Sequence, residues 1–565
     1  MRQLLGPGGD DMERRAILAA ALAVVVLLVY QAYFVPAPPP PPEPKKEAAD
    51  EVKPAPAIPA AGPRATRERL AGPLRRGERD ETVHLETDLV SVTLTNRGGG
   101  IRNWRLKQYR EDYGPLDLVG DPPSGGAPLP FTAWIEGGEG STGLYRVVER
   151  PTGDPGVPQR VVMEFQEAGG VLLQKTLVLH PGRYLADATL RLVNPGARPS
   201  QIALRIEWGP GFRMGPGAPE IGGVSPAAWI DGKLAVPDLE KVKGGEELAQ
   251  SGSVSWAAVQ DRYFAAALIP VEPAPSILVR KEAPELLVVG LRYPALTIPP
   301  GGEIHVPLKL YAGPKEIGRL GDAGHDLQGL VDLGWFWFLA QPALWLLTRL
   351  HDATGNYGVA IIIITILQKI GFYPLTQKSY KSMQAMQAIQ PKLEALKERH
   401  KGNKQKMNQE MMELYKRHGV NPFGGCLPMV IQIPIFIALY NALGSSVELW
   451  RAPFALWITD LSAPDTLFVV PFAIPYLGAA FAFRGLPLIM GISMFVQQKM
   501  SPTAGDPRQA QMMLYLMPVM FTFIFWGMPS GLVLYWLVNN VLQIGHQYQM
   551  NRGLGLSLGA AKEGG

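Results

Sequence analysis

The hydrophobic and polar positions follow two different periods along this chain, and the change falls near residue 315. Between residues 82 and 315 apolar side chains alternate with polar ones. Val83 and Leu85, then Val90, Val92 and Leu94, lead into a turn at Arg97-Gly98-Gly99-Gly100. Ile202, Leu204, Ile206 and Trp208 repeat the alternation, as do Ile304, Val306, Leu308 and Leu310. A period of two puts alternate side chains on one face of a strand. Short strands between Gly and Pro, with no sustained helical period, predict a large antiparallel β-sandwich over 82–315. This region carries no metal-ligand spacing, phosphate loop or catalytic constellation, so its expected role is binding or scaffolding.

Past residue 315 the apolar positions become helical and nearly continuous. Segment 333–352 mixes Trp335, Phe336, Trp337, Phe338 and Trp345 with Gln341, Arg349 and His351, the composition of an interfacial amphipathic helix. Apolar stretches at about 357–374, 424–444, 486–499, 514–527 and 531–548 read as membrane spans. Several contain Pro or Gly, which spans tolerate where neighbours satisfy the backbone. Another span precedes the strands: residues 16–35 are apolar and follow Arg14 and Arg15. We read that run as an uncleaved signal anchor with residues 1–15 cytoplasmic; a cleaved signal is the alternative and leaves the rest of the reading intact. Residues 36–81, rich in Pro, Ala and charge, cannot bury a core and read as an extended periplasmic linker.

The fold class expected is therefore a multi-pass α-helical membrane protein of six spans with a large periplasmic antiparallel β-domain. Bulk composition hides this division: 47% hydrophobic and 18% charged residues describe neither half. Charge becomes informative only when mapped onto loops. Between Thr376 and Asn421 there are ten Lys/Arg against four Glu, which makes that loop cytoplasmic by the positive-inside rule. Lys499, Arg508 and Arg552 then also face the cytoplasm, with the tail 553–565, while Glu448, Asp460 and Asp465 lie outside. That parity requires the apolar stretch 467–483 not to cross, so it is expected to be interfacial or re-entrant. The single cysteine, Cys426, excludes an intrachain disulfide.

The basic loop 377–419 reads as a helical hairpin. Met383, Met386, Ile389, Leu393 and Leu396 recur at helical spacing, Lys401-Gly402-Asn403 supplies a turn, and Met407, Met411 and Leu414 follow before Gly419. The methionines are either the seam of the hairpin or, in part, a soft exposed surface for varied apolar segments. Its basic faces suit ribosomal RNA or anionic lipid, or are simply solvated.

A polar set interrupts the spans. Thr365, Gln368 and Lys369 stand at i, i+3 and i+4, on one helix face, and Gln432, Asn441, Asn539, Asn540 and Gln543 come from other spans. A helix starting at Tyr357 carries Lys369 about 18 Å down its axis, in the cytoplasmic half of a core of about 30 Å. Amides and one cation without a carboxylate suit neither a proton relay nor a cation pore; they suit the wall of a wet cavity. Each amide taken alone could be an interhelical hydrogen bond, and Lys369 could snorkel to the interface. Enzymatic readings are poor. Gly444-Ser445-Ser446 matches a short protease-like pattern, but Ser446 and His546 fall at opposite ends of their spans, and no longer catalytic or nucleotide motif is present. No metal, cofactor or small-molecule substrate is expected.

These residues stand in longer matching runs. IIIIT (361–365), YPLT (373–376), QPK (390–392), NPFGGCLPMVIQIPIFIALY (421–440), APFALWITDLSAPD (452–465), QKMSPT (498–503) and PSGLVLYW (529–536) resemble the YidC/Oxa/Alb membrane-protein insertases, and among them the Gram-negative YidC branch. The match covers 333–552. The resemblance implies an insertase that passes nascent membrane proteins into the bacterial inner membrane, alone or with the Sec translocon and its accessory subunits, and that meets the ribosome and the lipid bilayer. It implies a five-helix core, here 357–552, with a hydrophilic groove open to cytoplasm and lipid, and a β-supersandwich outside. The groove positions implied fall on Lys369, Thr365 and Gln432; Gln368 and Asn540 of the polar set complete the expected groove, and Met383, Met386, Met407 and Met411 are the expected client- or ribosome-contacting residues of the hairpin. The family's groove arginine falls on Lys369, which keeps the charge and loses the bidentate fork. Competing readings are a solute transporter, which predicts an internal repeat or paired intramembrane charges that the sequence lacks, and an assembly scaffold.

Overall fold

The computed structural model describes residues 74–111, 114–119, 129–209, 212, 223–237, 246–283, 286–400, 403–420, 427–470, 481–501 and 507–553. The expected signal anchor, most of the linker, Cys426 and nearly all of the tail lie outside the described residues. Strands fill the first half, as the alternation predicts. Thr82–Glu86, Val90–Thr95, Gly100–Glu111 and Gly114–Asp117 form a four-stranded antiparallel sheet, and the strands from Thr132–Ile135 to Glu303–Pro314 form a thirteen-stranded one. In Val90–Thr95 every second residue is buried. Phe264–Pro270 breaks that rule: all of it is buried, because it is a central strand between Glu247–Gln260 and Glu303–Pro314 and is covered on both faces.

Large aromatics fill the space between the two sheets. Trp104 meets Trp208 at 6.4 Å between ring centroids, and Tyr109 meets Phe264 edge-on at 5.1 Å. Ionisable side chains are sealed inside as well, Glu207 and Lys175 among them. Lys175 is 2% exposed, and its ammonium donates to the carbonyls of Gly98, Gly99 and Phe131 at 2.8, 3.1 and 2.9 Å. The rings of Phe131 and Tyr145 face it at 5.2 and 5.1 Å. The Gly98 and Gly99 carbonyls reach it because both residues are left-handed (φ 68° and 55°), and a Cβ on Gly98 would stand 2.3 Å from the Ser141 carbonyl. Residues 75–77, read from composition as linker, pack on the sandwich: the Gly77 amide donates to Leu144 at 2.8 Å and the Arg76 guanidinium lies 4.5 Å over Phe165. Composition misses this because an arginine stem is apolar enough to cover a ring.

Helices fill the second half: α1 (Ile317–Ala323), α2 (Trp337–Thr354), α3 (Tyr357–Ala388), α4 (Gln390–Arg399), α5 (Lys404–Arg417), α6 (Leu427–Ser445), α7 (Gly485–Met500), α8 (Pro507–Phe525) and α9 (Ser530–Gly553). Gly355 (φ 68°) ends α2, and Asn356 starts α3 by accepting from the amides of Gly358 and Val359 at 2.9 and 3.2 Å. α3 alone among the described residues is long and apolar enough to cross a bilayer by length and composition; the apolar parts of α6 and α8 are the shorter Ile431–Ser445 and Leu514–Phe525.

One boundary moves. The expected hairpin helix 377–400 is not separate, because α3 runs on through Gln377 to Ala388 and breaks at Ile389. The break falls where Pro391 cannot donate to the Gln387 carbonyl and its ring crowds it. The second arm agrees more closely: α5 ends at Arg417, and Gly419 is left-handed at φ 63°.

Helix directions follow from side-chain pairs. Along α3 and α9, Ile361 lies by Gly531, Gln368 by Tyr535, Lys369 by Gln543, and Tyr373 and Tyr380 by His546, so the two run parallel. Ser493 and Ser501 pair with Asn540 and Gln547, so α7 shares that direction. Contacts of Gly491 with Thr522 and Phe495 with Tyr515 make α8 antiparallel. α6 ends at the sandwich, where Arg262 donates to the Gly444 carbonyl at 2.5 Å, and α3 and α9 begin near that end. Trp450, in the loop after α6, wedges between Tyr109 and Phe264 at 5.8 and 5.3 Å. The stretch around 467–483 shows only its ends: Phe468–Val470 and Phe481–Phe483 pair as an antiparallel ribbon, so they stand side by side.

Lys175→Met removes the donor from three buried carbonyls. The sandwich should lose about 3 kcal/mol or more, seen as an earlier unfolding transition in tryptophan fluorescence.

Candidate functional site in the helix seams

α3 presents the predicted polar face to α6 and α9. Thr365 is fully buried and its hydroxyl donates to the Ile361 carbonyl of its own helix at 2.7 Å. Gln368 and Gln432 meet at one group, the hydroxyl of Tyr535, which donates to Gln368 Oε1 at 3.1 Å and also engages the Gln432 side chain. Lys369 Nζ donates to Gln543 Oε1 at 2.9 Å. An amide oxygen thus answers the ammonium. Helices α3, α6, α7, α8 and α9 contain neither Asp nor Glu, so no carboxylate on them can neutralise the charge.

Asn540 stands apart from this cluster. It is 3% exposed and donates to Ser493 Oγ at 3.1 Å, on the α7–α9 seam. Gln547, 3% exposed, makes the same kind of bond to Ser501 Oγ at 2.9 Å. Asn441 donates to the Leu333 carbonyl at 3.1 Å and ties α6 to the segment before α2. Serine and histidine form no dyad: Ser445 and Ser446 bond the Asp332 carbonyl and Glu448 at the sandwich end, whereas His546 packs on Tyr373 and Tyr380 towards the other.

Two functional side chains escaped sequence reasoning. Tyr535 hides in an apolar run, although it stands four and eight residues before Asn539 and Gln543 on the same helix face. Ser493 is small and gives no periodic signal. α2 turns Ala340, Leu344 and Leu347 inward and leaves Trp337, Phe338 and Trp345 more than half exposed. At the far end of α3 the methionines divide. Met386 and Met411 join Ile389, Leu393, Leu414 and Tyr415 in the seam between hairpin arms, Met383 and Met407 are half-buried outside it, and Met412 is 51% exposed. His400 and Glu410 clasp the arms at 2.9 Å. Among the described residues no group of three His, Cys, Asp or Glu is placed to hold a metal.

The class the fold defines is a polar-seamed helical core that carries a large antiparallel β-domain at one end of its helices, with α3 long and apolar enough to cross a membrane. The profile described as 60Kd inner membrane protein matches residues 349–555, and the YidC periplasmic domain profile matches 82–346. Membrane protein insertase YidC of Syntrophus aciditrophicus is 37% identical over 87% of this chain and 89% of its own length. The protein of that name from Syntrophobacter fumaroxidans is 40% identical over 83% and 86%. A solved structure of an active YidC insertase has 20% identity and a TM-score of 0.36, covering 84% of this chain and 94% of that one. The chain belongs to the YidC family of inner-membrane protein insertases.

Tyr535→Phe keeps the ring and deletes the hydroxyl that joins two amides. It should cost about 1 kcal/mol in thermal stability and increase cysteine crosslinking between α3 and α6 variants, a sign of a loosened seam.

Proposed function

We propose that the chain inserts hydrophobic segments of nascent membrane proteins into the inner membrane without covalent chemistry. The observation that carries the mechanism is the Lys369 ammonium, held by a neutral amide in a helix cluster free of carboxylates. A cation at membrane depth costs about 3 kcal/mol on insertion scales. Water in the seam between α3, α6 and α9 lowers that cost and lowers the barrier for a passenger's polar flank in the same place. Thr365, Gln368, Gln432 and Lys369 form the wet wall, and Asn540 backs it from the α7 side. The passenger's apolar part leaves between α3 and α6 into lipid, and its transfer out of water drives the step. Exposed apolar side chains on both helices support that exit: Ile366, Leu367 and Ile370 on one, Ile431 and Ile433 on the other.

The same reading orients the protein. The sandwich packs at the end where α3 and α9 begin, and the basic hairpin leaves the far end of α3, which supports a periplasmic sandwich and a cytoplasmic hairpin. Alternating helix directions, with the paired ends of 467–483 returning to the side they left, support five core spans plus the signal anchor. The exposed tryptophans of α2 support its lying at the outer interface. The hairpin, with Met383, Met407 and Met412 accessible and a basic surface, receives clients or the ribosome, and the Sec translocon is a partner for larger clients.

Reconstitution into liposomes tests the function directly: a short single-span client should insert above the level of empty vesicles, and no excess would sink the reading. Photocrosslinkers at Thr365 and Gln432 should capture the passenger during insertion; adducts elsewhere only would reject the route. Lys369→Arg should leave insertion near wild type, and Lys369→Glu should impair clients with acidic flanks. Equal activity of the Glu variant on such clients would mean that the charge only snorkels.

A further inference from the structure

His546 has no assigned task, and its surroundings are unusual for a histidine. Neither ring nitrogen reaches solvent, and neither has a hydrogen-bond partner among the described residues. The ring stands edge-on to Tyr373 at 5.2 Å and to Tyr380 at 6.3 Å. A buried polar group left unpaired costs about 1–3 kcal/mol, so an imidazole in this position is a group with its bonding capacity unspent. A phenylalanine would fill the same space between two tyrosines without that cost.

Its address gives the vacancy a meaning. His546 lies three residues beyond Gln543 on α9, and Tyr373 lies four residues beyond Lys369 on α3, so the two contacts are successive rungs between parallel helices. The Lys369 charge is close enough to act on the imidazole. The charged or titratable groups facing the ring are Lys369, Tyr373 and Tyr380, and the five core helices offer no carboxylate. Imidazole presents a donor in either protonation state. Lys369 and His546 are therefore two donors, one helical turn apart, with no carboxylate on the five core helices to occupy them. Access lies on one side, where the Tyr373 ring that stands against the imidazole is 46% exposed.

We propose that His546 is a client-contacting residue that extends the Lys369 site by one turn toward the hairpin and sets a preference for passengers whose polar flank carries a carboxylate. It rests on the insertase reading and adds a specificity determinant to it. A carboxylate with two oxygens can accept from Lys369 and His546 together, which a neutral amide flank cannot do with equal strength.

The test uses the full-length protein in liposomes and two single-span clients that differ only in Asp or Asn residues in the flank. The readout is the acidic-to-neutral insertion ratio. His546→Phe keeps the packing against both tyrosines and should lower that ratio about threefold to tenfold, because the acidic client loses more than the neutral one. His546→Gln keeps a donor and should hold most of the wild-type ratio. A photoreactive side chain at position 546 should capture the acidic flank. An unchanged ratio in His546→Phe, or a parallel loss for both clients, would overturn the proposal while leaving the insertase reading intact. Wild-type protein that inserts neither client would overturn that reading and the proposal with it.

Discussion

The Lys369 ammonium must be solvated by whatever the helices provide, and they provide amides and, one turn away, a phenol. A carboxylate beside it would form a closed ion pair. Among the described residues it donates to the Gln543 amide instead, which leaves the charge unneutralised. The helix arrangement serves that condition: α3 and α9 run parallel, so their polar residues face each other rung by rung. Antiparallel neighbours α6 and α8 flank them with apolar side chains.

The two halves of the chain share a joint. Arg262, Tyr263, Phe264 and Tyr109 of the sandwich meet Gly444, Ser462 and Trp450 of the helical core through hydrogen bonds and ring contacts. Buried residues of the sandwich and of α2 and α6, such as Ala340 and Ala442, belong to one continuous apolar cluster. The sandwich therefore sits on the loops that begin α3 and α9, and its packing bears on where the polar rungs stand.

Period and composition made most of the architecture legible. Alternation located the strands because a half-buried sheet shows it, and it fails along central strands such as Phe264–Pro270, where both faces are covered. Helical spacing placed Thr365, Gln368 and Lys369 together, and Gln432 joined them in space. It could not place Asn540, because a residue on a helix buried on several sides can face either seam. Tyr535 stayed hidden because a phenol reads as apolar until its hydroxyl finds a partner. The end of the linker was missed for a related reason, since Arg76 counts as charge in composition although its guanidinium lies over the Phe165 ring.

The unbroken run of α3 from Tyr357 to Ala388 has a mechanical meaning. A helix is stiff along its axis, so the hairpin base at Ala388 and the ammonium at Lys369, about 28 Å apart, belong to one lever. A load on the hairpin is transmitted along that lever as tilt. Pro374 lies between them and lacks the hydrogen bond to Ile370, which makes it the compliant point of the rod. The hairpin tip and the Lys369 rung are in this way mechanically joined through a single bend point.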